Sequence, residues 1–384
     1  MEENVTEKSI GLTRREWLST AAGASALLAA PSIEATSIEA SRYRARASRP
    51  PAQASKVQLS MCLSDNDRTR PLREGRVKAD GVDLVVSTAH PSEMFWRELH
   101  FAEFDISEMS CSSLLMAIAN GDKRFIAIPV FTSRSFFHTG ILVRTDRGIE
   151  KPEDLKGKRV AVPEYQQTAA LWCRGALQHE FGVTAFDIDW YMERTEELSH
   201  ASATGFQPPK GLRFQHIPDN ENIGSMLLAG KIDASLLYLN EVNLVDRSRV
   251  DLRNRTEVRT LFKDPAAEGI RYYKKTGFYP INHCVVFKRE VADKYPWAVL
   301  NVFKAFDEAK NLVRDQGRTA ASVYFDLGLV SPEQRRALDA DPFAYGLKSN
   351  RNVLDAITQF SFEQGLTARR LKLEEVFHPA TLDL

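Results

Sequence analysis

The tightest constraint on how this chain can fold is a short passage near its middle. The apolar run Val160-Ala161-Val162 is closed by Pro163, crosses a polar turn of Glu164-Tyr165-Gln166-Gln167-Thr168, and enters a helical pattern at Ala169. A brief apolar run bounded by turn residues reads as a buried strand. A strand that feeds a helix through a short turn is the repeating unit of an α/β protein. The first helical N–H groups lack partners, and the helix dipole places positive charge there. The turn therefore suits a small carboxylate. The same residues also fit an ordinary strand-to-helix loop with a threonine cap.

The flanking chain repeats the theme. Strands are expected at 57–63, 81–86, 104–109, 125–130, 212–217, 232–238 and 284–287, with an extended stretch at 136–143. Helices are expected at 91–101, 114–120, from 169 onward, at 222–229 and through most of 291–364, while 241–275 reads as charged and irregular. Two blocks of alternating strands and helices imply two lobes. Residues 56–145 with 280–384 make the first, because the late strand and helices are too few for a domain of their own; residues 146–279 make the second. A ligand cleft between the lobes follows, with hinge closure around its occupant.

Charge removes one class of partner. Lys and Arg together number 51, as do Asp and Glu, so no net field draws the chain to nucleic acid. Cys62, Cys111, Cys173 and Cys284 are widely spaced within or beside apolar segments and have no CxxC spacing, so they read as buried thiols, with a disulfide left open in an oxidising compartment. No HxH or HxxxH spacing points to a metal.

The N-terminus carries its own signal. Arg14-Arg15 stands ahead of Trp17-Leu18 and an Ala-rich run that ends at Pro31. This resembles a bacterial twin-arginine (Tat) export signal. The run is too short and mild for a permanent membrane span. Residues 1–55 are therefore expected to be a signal peptide and flexible linker, with the Tat translocase as an export partner and the periplasm as the destination.

Several phrases carry a family resemblance. Pro152-Glu153-Asp154-Leu155-Lys156-Gly157-Lys158-Arg159-Val160 and Leu227-Leu228-Ala229-Gly230-Lys231-Ile232-Asp233-Ala234 resemble the type II periplasmic-binding-protein fold. More narrowly, Asp67-Arg68-Thr69-Arg70-Pro71-Leu72, His138-Thr139-Gly140-Ile141, Val162 through Ala170, and Phe377-His378-Pro379-Ala380-Thr381-Leu382 resemble the 4,5-dihydroxyphthalate decarboxylase family. The resemblance implies a two-lobed α/β fold and cofactor-independent loss of CO2 from a hydroxylated aromatic acid. The same group also resembles the solute-binding subunits of ABC importers. The alternative is therefore a periplasmic receptor that hands a small aromatic anion to a permease.

The chemistry implied by the resemblance needs cations for carboxylates and an acid for a ring carbon. Arg68, Arg70, Arg134 and Arg174 are the candidate carboxylate clamps, each also readable as a salt-bridge partner. His138 and His283 are the candidate proton donors, each also readable as a hydrogen-bonded structural histidine. Ser112 before a helix, and Tyr165, Gln166 and Thr168 of the central turn, are the expected polar contacts from the two lobes.

Overall fold

The computed structural model describes residues 56–384. The expected export segment, residues 1–55, lies outside the described residues. The elements form two sheets. The first holds β1 (Val57–Leu63), β2 (Val82–Thr88), β3 (Ile106–Ser110), β4 (Phe125–Arg134) and β11 (Ile281–Lys288), in the order β2-β1-β3-β11-β4. The second holds β5 (Leu142–Arg144), β6 (Arg159–Val162), β7 (Asp189–Met192), β8 (Phe214–His216), β9 (Ala234–Ser235) and β10 (Val258–Thr260), in the order β10-β5-β9-β6-β7-β8. In the first sheet β1 runs parallel to β2 and β3, and β11 is antiparallel to both β3 and β4. The chain thus forms a two-lobed α/β fold.

The six longest helices among the described residues are α1 (Pro91–Phe101), α2 (Cys111–Ala119), α3 (Thr168–Phe181), α4 (Pro265–Thr276), α5 (Pro296–Asp326) and α6 (Arg351–Glu363). Their starts and stops follow local chemistry. α1 opens with Pro91, whose missing N–H costs nothing at a helix start. Asp264 caps α4 by accepting from the Ala267 N–H at 2.9 Å. Gly182 ends α3 at a φ of 63°, a left-handed conformation that glycine adopts without a Cβ penalty. Helix α5 buries Ala298, Val299, Val302, Ala305, Phe306 and Ala309, a stripe spaced by three and four residues. Phe306 is fully buried, as are Met61, Phe131 and Phe287 of the first sheet, and each such side chain contributes roughly 1.5–3 kcal/mol of apolar burial.

The structure revises four sequence readings. Leu142–Arg144 pairs with β9 and β10, so this strand belongs to the second sheet and the first crossing precedes residue 142 rather than following 145. Phe137–Gly140 is a 3-10 turn, not part of an extended run. Only Ala234–Ser235 of the expected 232–238 strand pairs; residues beyond it leave the sheet, and Leu237 and Leu239 turn to the cleft. The stretch 241–275, read as irregular, supplies both β10 and most of α4. Strands of two or three residues are too short to show alternation, which is why β5, β9 and β10 were hard to see.

The lobes meet through direct bonds. Ser110 Oγ and Thr168 Oγ1 are 2.8 Å apart, the Ser112 N–H donates to Thr168 Oγ1 at 2.9 Å, and Trp172 Nε1 donates to the Ile281 carbonyl at 2.8 Å. These contacts bring the C-terminal ends of β1, β2 and β3 to face the N-terminus of α3. That crevice is where open α/β sheets place their ligands.

Candidate active site

The cleft contains two adjoining cavities. An outer one of about 560 Å³ is lined by Ser64, Asn66, Arg68, Thr132, Arg134 and His283, among others. An inner one of about 240 Å³ is lined by Phe95, Phe137, Thr168, Leu237, Leu239 and His283, among others. His90, Pro91 and His283 line both cavities, so they stand at the junction.

His283 is placed there by an irregularity in β11. The register with β4 shifts on both sides of His283, while Ser110 of β3 remains its partner across the other edge. Such bulges re-aim one side chain without breaking the strand. His283 Nδ1 lies 3.2 Å from Glu108 Oε2, and Glu108 is fully buried. The other carboxylate oxygen, Oε1, accepts from the Ser64 N–H at 3.0 Å and from Ser64 Oγ at 2.8 Å. Burial opposes the Glu108 charge, but the His283 ring and the Ser64 donors outweigh it and hold this carboxyl below its usual range. The tautomer that satisfies the carboxylate carries its proton on Nδ1. Nε2 then accepts from Asn282 Nδ2 at 2.9 Å. Phe95 packs edge-on against the ring, with centroids 4.7 Å apart.

Two guanidinium groups reach the outer cavity without a carboxylate in contact among the described residues. Arg68 stacks on Phe343 at 3.6 Å and donates to the Thr132 carbonyl at 2.7 Å. Arg134 donates to the carbonyls of Tyr279 at 3.2 Å and Ala344 at 3.1 Å, and to Asn350 Oδ1. Burial lowers the pKa of Arg68 and pushes that of Arg134 down to about 10. Buried cations held only by neutral oxygens retain a strong affinity for an anion.

The other expected residues are distributed differently. Thr168 lines the inner cavity and bonds to Ser110. Ser112 is fully buried at the lobe contact, where its N–H, not its hydroxyl, makes the bond to Thr168. Arg70 is exposed and paired with Asp67, away from both cavities. His138 is buried 3.1 Å from Glu268 Oε1 and packed against Tyr272, outside both cavities. Its pKa is lowered by burial, with Glu268 opposing.

The first part of the central turn, Glu164 to Gln166, faces inward, while Gln167 and Thr168 reach the cleft. Tyr165 is fully buried against Trp190, Phe206 and Phe214. Arg174 stacks on the Tyr165 ring at 3.8 Å, donates to the Tyr165 carbonyl at 2.7 Å and to Gln364 Oε1 at 2.8 Å. Gln166 is bonded to Glu164 and Ser199. Tyr165, Gln166 and Arg174 therefore lie outside both cavities, held inside their own lobe by the Tyr165 ring packing, the Gln166 amide and two of the Arg174 nitrogens.

Glu164 anchors a buried charged group that the sequence reading passed over. Its Oε2 pairs with Arg194, its Oε1 accepts from Ser199 Oγ at 2.7 Å, and Arg194 Nε reaches Asp246 Oδ1 at 2.7 Å. His200, whose pKa is lowered by burial against the pull of Glu164, lies 3.3 Å from the Ser92 carbonyl of α1. Glu108, Asn282, Arg194 and His200 were all missed. Glu108 stands in the middle of β3, all of whose residues are buried, and a carboxylate within an expected core strand was the available signal. Among the described residues, no three His, Cys, Asp or Glu side chains converge as a metal site.

Fold and site define a class: a two-lobed α/β protein with a cleft for a small molecule. A family described as an ABC transporter, phosphonate, periplasmic substrate-binding protein matches residues 77–326. The solved alkanesulfonate-binding protein SsuA from Xanthomonas axonopodis pv. citri, bound to MOPS, superposes with a TM-score of 0.50 at 15% identity, covering 85% of this chain and 99% of that one. At that identity the likeness establishes the fold. A Comamonas testosteroni relative named 4,5-dihydroxyphthalate decarboxylase is 35% identical over 332 residues, which is 86% of this chain and 98% of the relative. A Pseudomonas putida relative of the same name is 40% identical over 186 residues, 48% of this chain and 72% of the relative. The chain belongs to the 4,5-dihydroxyphthalate decarboxylase family.

Proposed function

We propose that this protein decarboxylates a hydroxylated aromatic dicarboxylate without a redox cofactor, with 4,5-dihydroxyphthalate as the reference substrate. The observation that carries the reading is the Glu108–His283 pair at the junction of the two cavities, beside Arg68 and Arg134. Arg68 and Arg134 grip carboxylate. A ring hydroxyl para to a carboxylate pushes electron density onto the carbon that bears it. Protonated His283 delivers the Nε2 proton to that carbon, the carbon–carboxylate bond breaks, its electron pair restores the aromatic ring, and CO2 departs. Glu108 steadies the imidazolium before transfer, and the imidazole regains its proton from water. In this role Asn282 turns its amide so that the oxygen faces Nε2.

The family match over residues 77–326 supports a second reading, a receptor that binds the anion unchanged for an ABC permease. Incubation with 4,5-dihydroxyphthalate separates the two. The decarboxylase reading expects stoichiometric CO2 and 3,4-dihydroxybenzoate; saturable binding with the ligand recovered intact contradicts it.

The paired Arg14 and Arg15 support Tat export to the periplasm. Among the described residues no helix is long and apolar enough to cross a membrane. Replacement of both arginines by lysine is expected to retain the protein in the cytoplasm, and undiminished delivery to the periplasm contradicts the export reading.

A further inference from the structure

The two cavities differ in kind, and His283 stands between them. The outer cavity carries Arg68 and Arg134, cations held only by neutral oxygens. The inner cavity is walled by Pro91, Phe95, Phe137, Leu237 and Leu239. Its one guanidinium, Arg194, is 1% exposed and sits between two carboxylates, Glu164 and Asp246. The inner cavity therefore offers a ligand a largely apolar wall with a polar edge at Ser110, Gln167 and Thr168, where α3 begins, and no side-chain guanidinium without a carboxylate partner.

That asymmetry bears on where each half of a dicarboxylate must lie. A carboxylate that leaves as CO2 loses its charge on the way to the transition state. A cation beside it would stabilise the ground state more than the transition state and slow the step. An apolar wall does the reverse: it disfavours the anion and accepts neutral CO2. The carboxylate that stays on the ring keeps its charge throughout, so a cation can hold it without penalty.

We propose that the inner cavity is the departure chamber for CO2, while Arg68 and Arg134 hold the carboxylate that the product retains. This rests on the decarboxylase reading and assigns the two ends of its substrate. The ring then lies across the junction with its reacting carbon toward His283 Nε2. Proton delivery and bond cleavage take place at the mouth of the inner cavity. The substrate class follows: an aromatic acid with one carboxylate to anchor and a second to lose, the latter para to a hydroxyl. A monocarboxylate lacking the anchor binds weakly.

Leu239, half-buried in the inner wall, provides the test. Leu239→Arg places a cation where the leaving carboxylate would sit. It is expected to bind 4,5-dihydroxyphthalate at least as tightly as the unsubstituted protein while kcat falls by about tenfold or more. Affinity for 3,4-dihydroxybenzoate, which has no carboxylate to put there, should stay within about twofold, whereas Arg68→Gln should weaken both ligands by about tenfold. Leu239→Gln adds polarity without charge and serves if the arginine variant does not fold; a smaller fall in kcat at unchanged product affinity is expected. An unchanged kcat in a folded variant overturns the assignment, as does an equal change in affinity for both ligands. Absence of CO2 release from the unsubstituted protein is a separate outcome, which removes the decarboxylase reading and this assignment with it.

Discussion

Glu108 Oε2 and His283 Nδ1 lie 3.2 Å apart across the β3–β11 pairing, with the carboxylate sealed from solvent and the ring open to both cavities. The pair joins residues 175 apart in sequence. A buried carboxylate behind an imidazole fixes its tautomer and its orientation. Glu108→Gln keeps the shape and removes the charge. We expect kcat to fall by about 100-fold with KM little changed. Glu108→Asp should recover part of the loss. The Glu108 carboxyl is held below its usual range in the folded protein, so the stability it contributes is present above the unfolded carboxyl pKa and is lost as pH falls through the folded value. Glu108→Gln should therefore flatten the acid side of the stability profile, read by urea unfolding at a series of pH values.

Tyr165 supplies a contrasting case. Its ring is packed on Arg174 and three aromatic neighbours, and its hydroxyl has no hydrogen-bond partner among the described residues. Tyr165→Phe removes an unsatisfied buried hydroxyl and keeps the ring, so stability should hold within about 0.5 kcal/mol or rise, with kcat and KM unchanged. Arg174→Leu should instead cost about 2 kcal/mol, because the Tyr165 carbonyl and Gln364 lose a donor in a closed interior. Thermal unfolding with steady-state kinetics reads both. A Tyr165→Phe variant that loses turnover would return the turn to the ligand site.

Glu98 predicts a pH dependence of opposite sign. It is fully buried in α1, accepts from the Phe104 N–H at 3.0 Å, and its pKa is raised to about 7, chiefly by burial. A carboxyl with a raised folded pKa binds more protons folded than unfolded between its two pKa values. Stability from this group is thus present at low pH and declines as pH rises from about 4.3 through about 7. The swing is on the order of 3 kcal/mol. Glu98→Gln should remove it and raise stability at pH 8, and denaturant unfolding at pH 5 and pH 8 measures the difference.

Much of the architecture was legible because apolar runs and turn residues mark it. The strand at Arg159–Val162, the helix that follows it, and α1 from Pro91 to Phe101 all lie close to where spacing puts them. The late strand's return to the first sheet follows from there being too little chain for a third, whereas its place between β3 and β4 was not legible. The site was harder to read. His283, Arg68, Arg134 and Thr168 face the cleft, whereas Tyr165, Gln166 and Arg174 turn into their own lobe. Sequence spacing places a residue on a turn but does not say which way the turn faces. Here the choice is made by long-range partners, Arg194 for Glu164 and Gln364 for Arg174. His138 and His283 look alike in sequence and each has a carboxylate partner; what separates them is the bulge in β11 beside which His283 meets both cavities. That is a tertiary fact.

The central claim is that this cleft breaks a carbon–carboxylate bond with His283 as the proton donor. The most direct measurement is CO2 release from 4,5-dihydroxyphthalate by the unsubstituted protein and by His283→Gln, with ligand affinity determined for both. The account predicts turnover by the first, a loss of about 100-fold or more in the second, and affinities within a few-fold of each other. CO2 release by His283→Gln at the unsubstituted rate would contradict it.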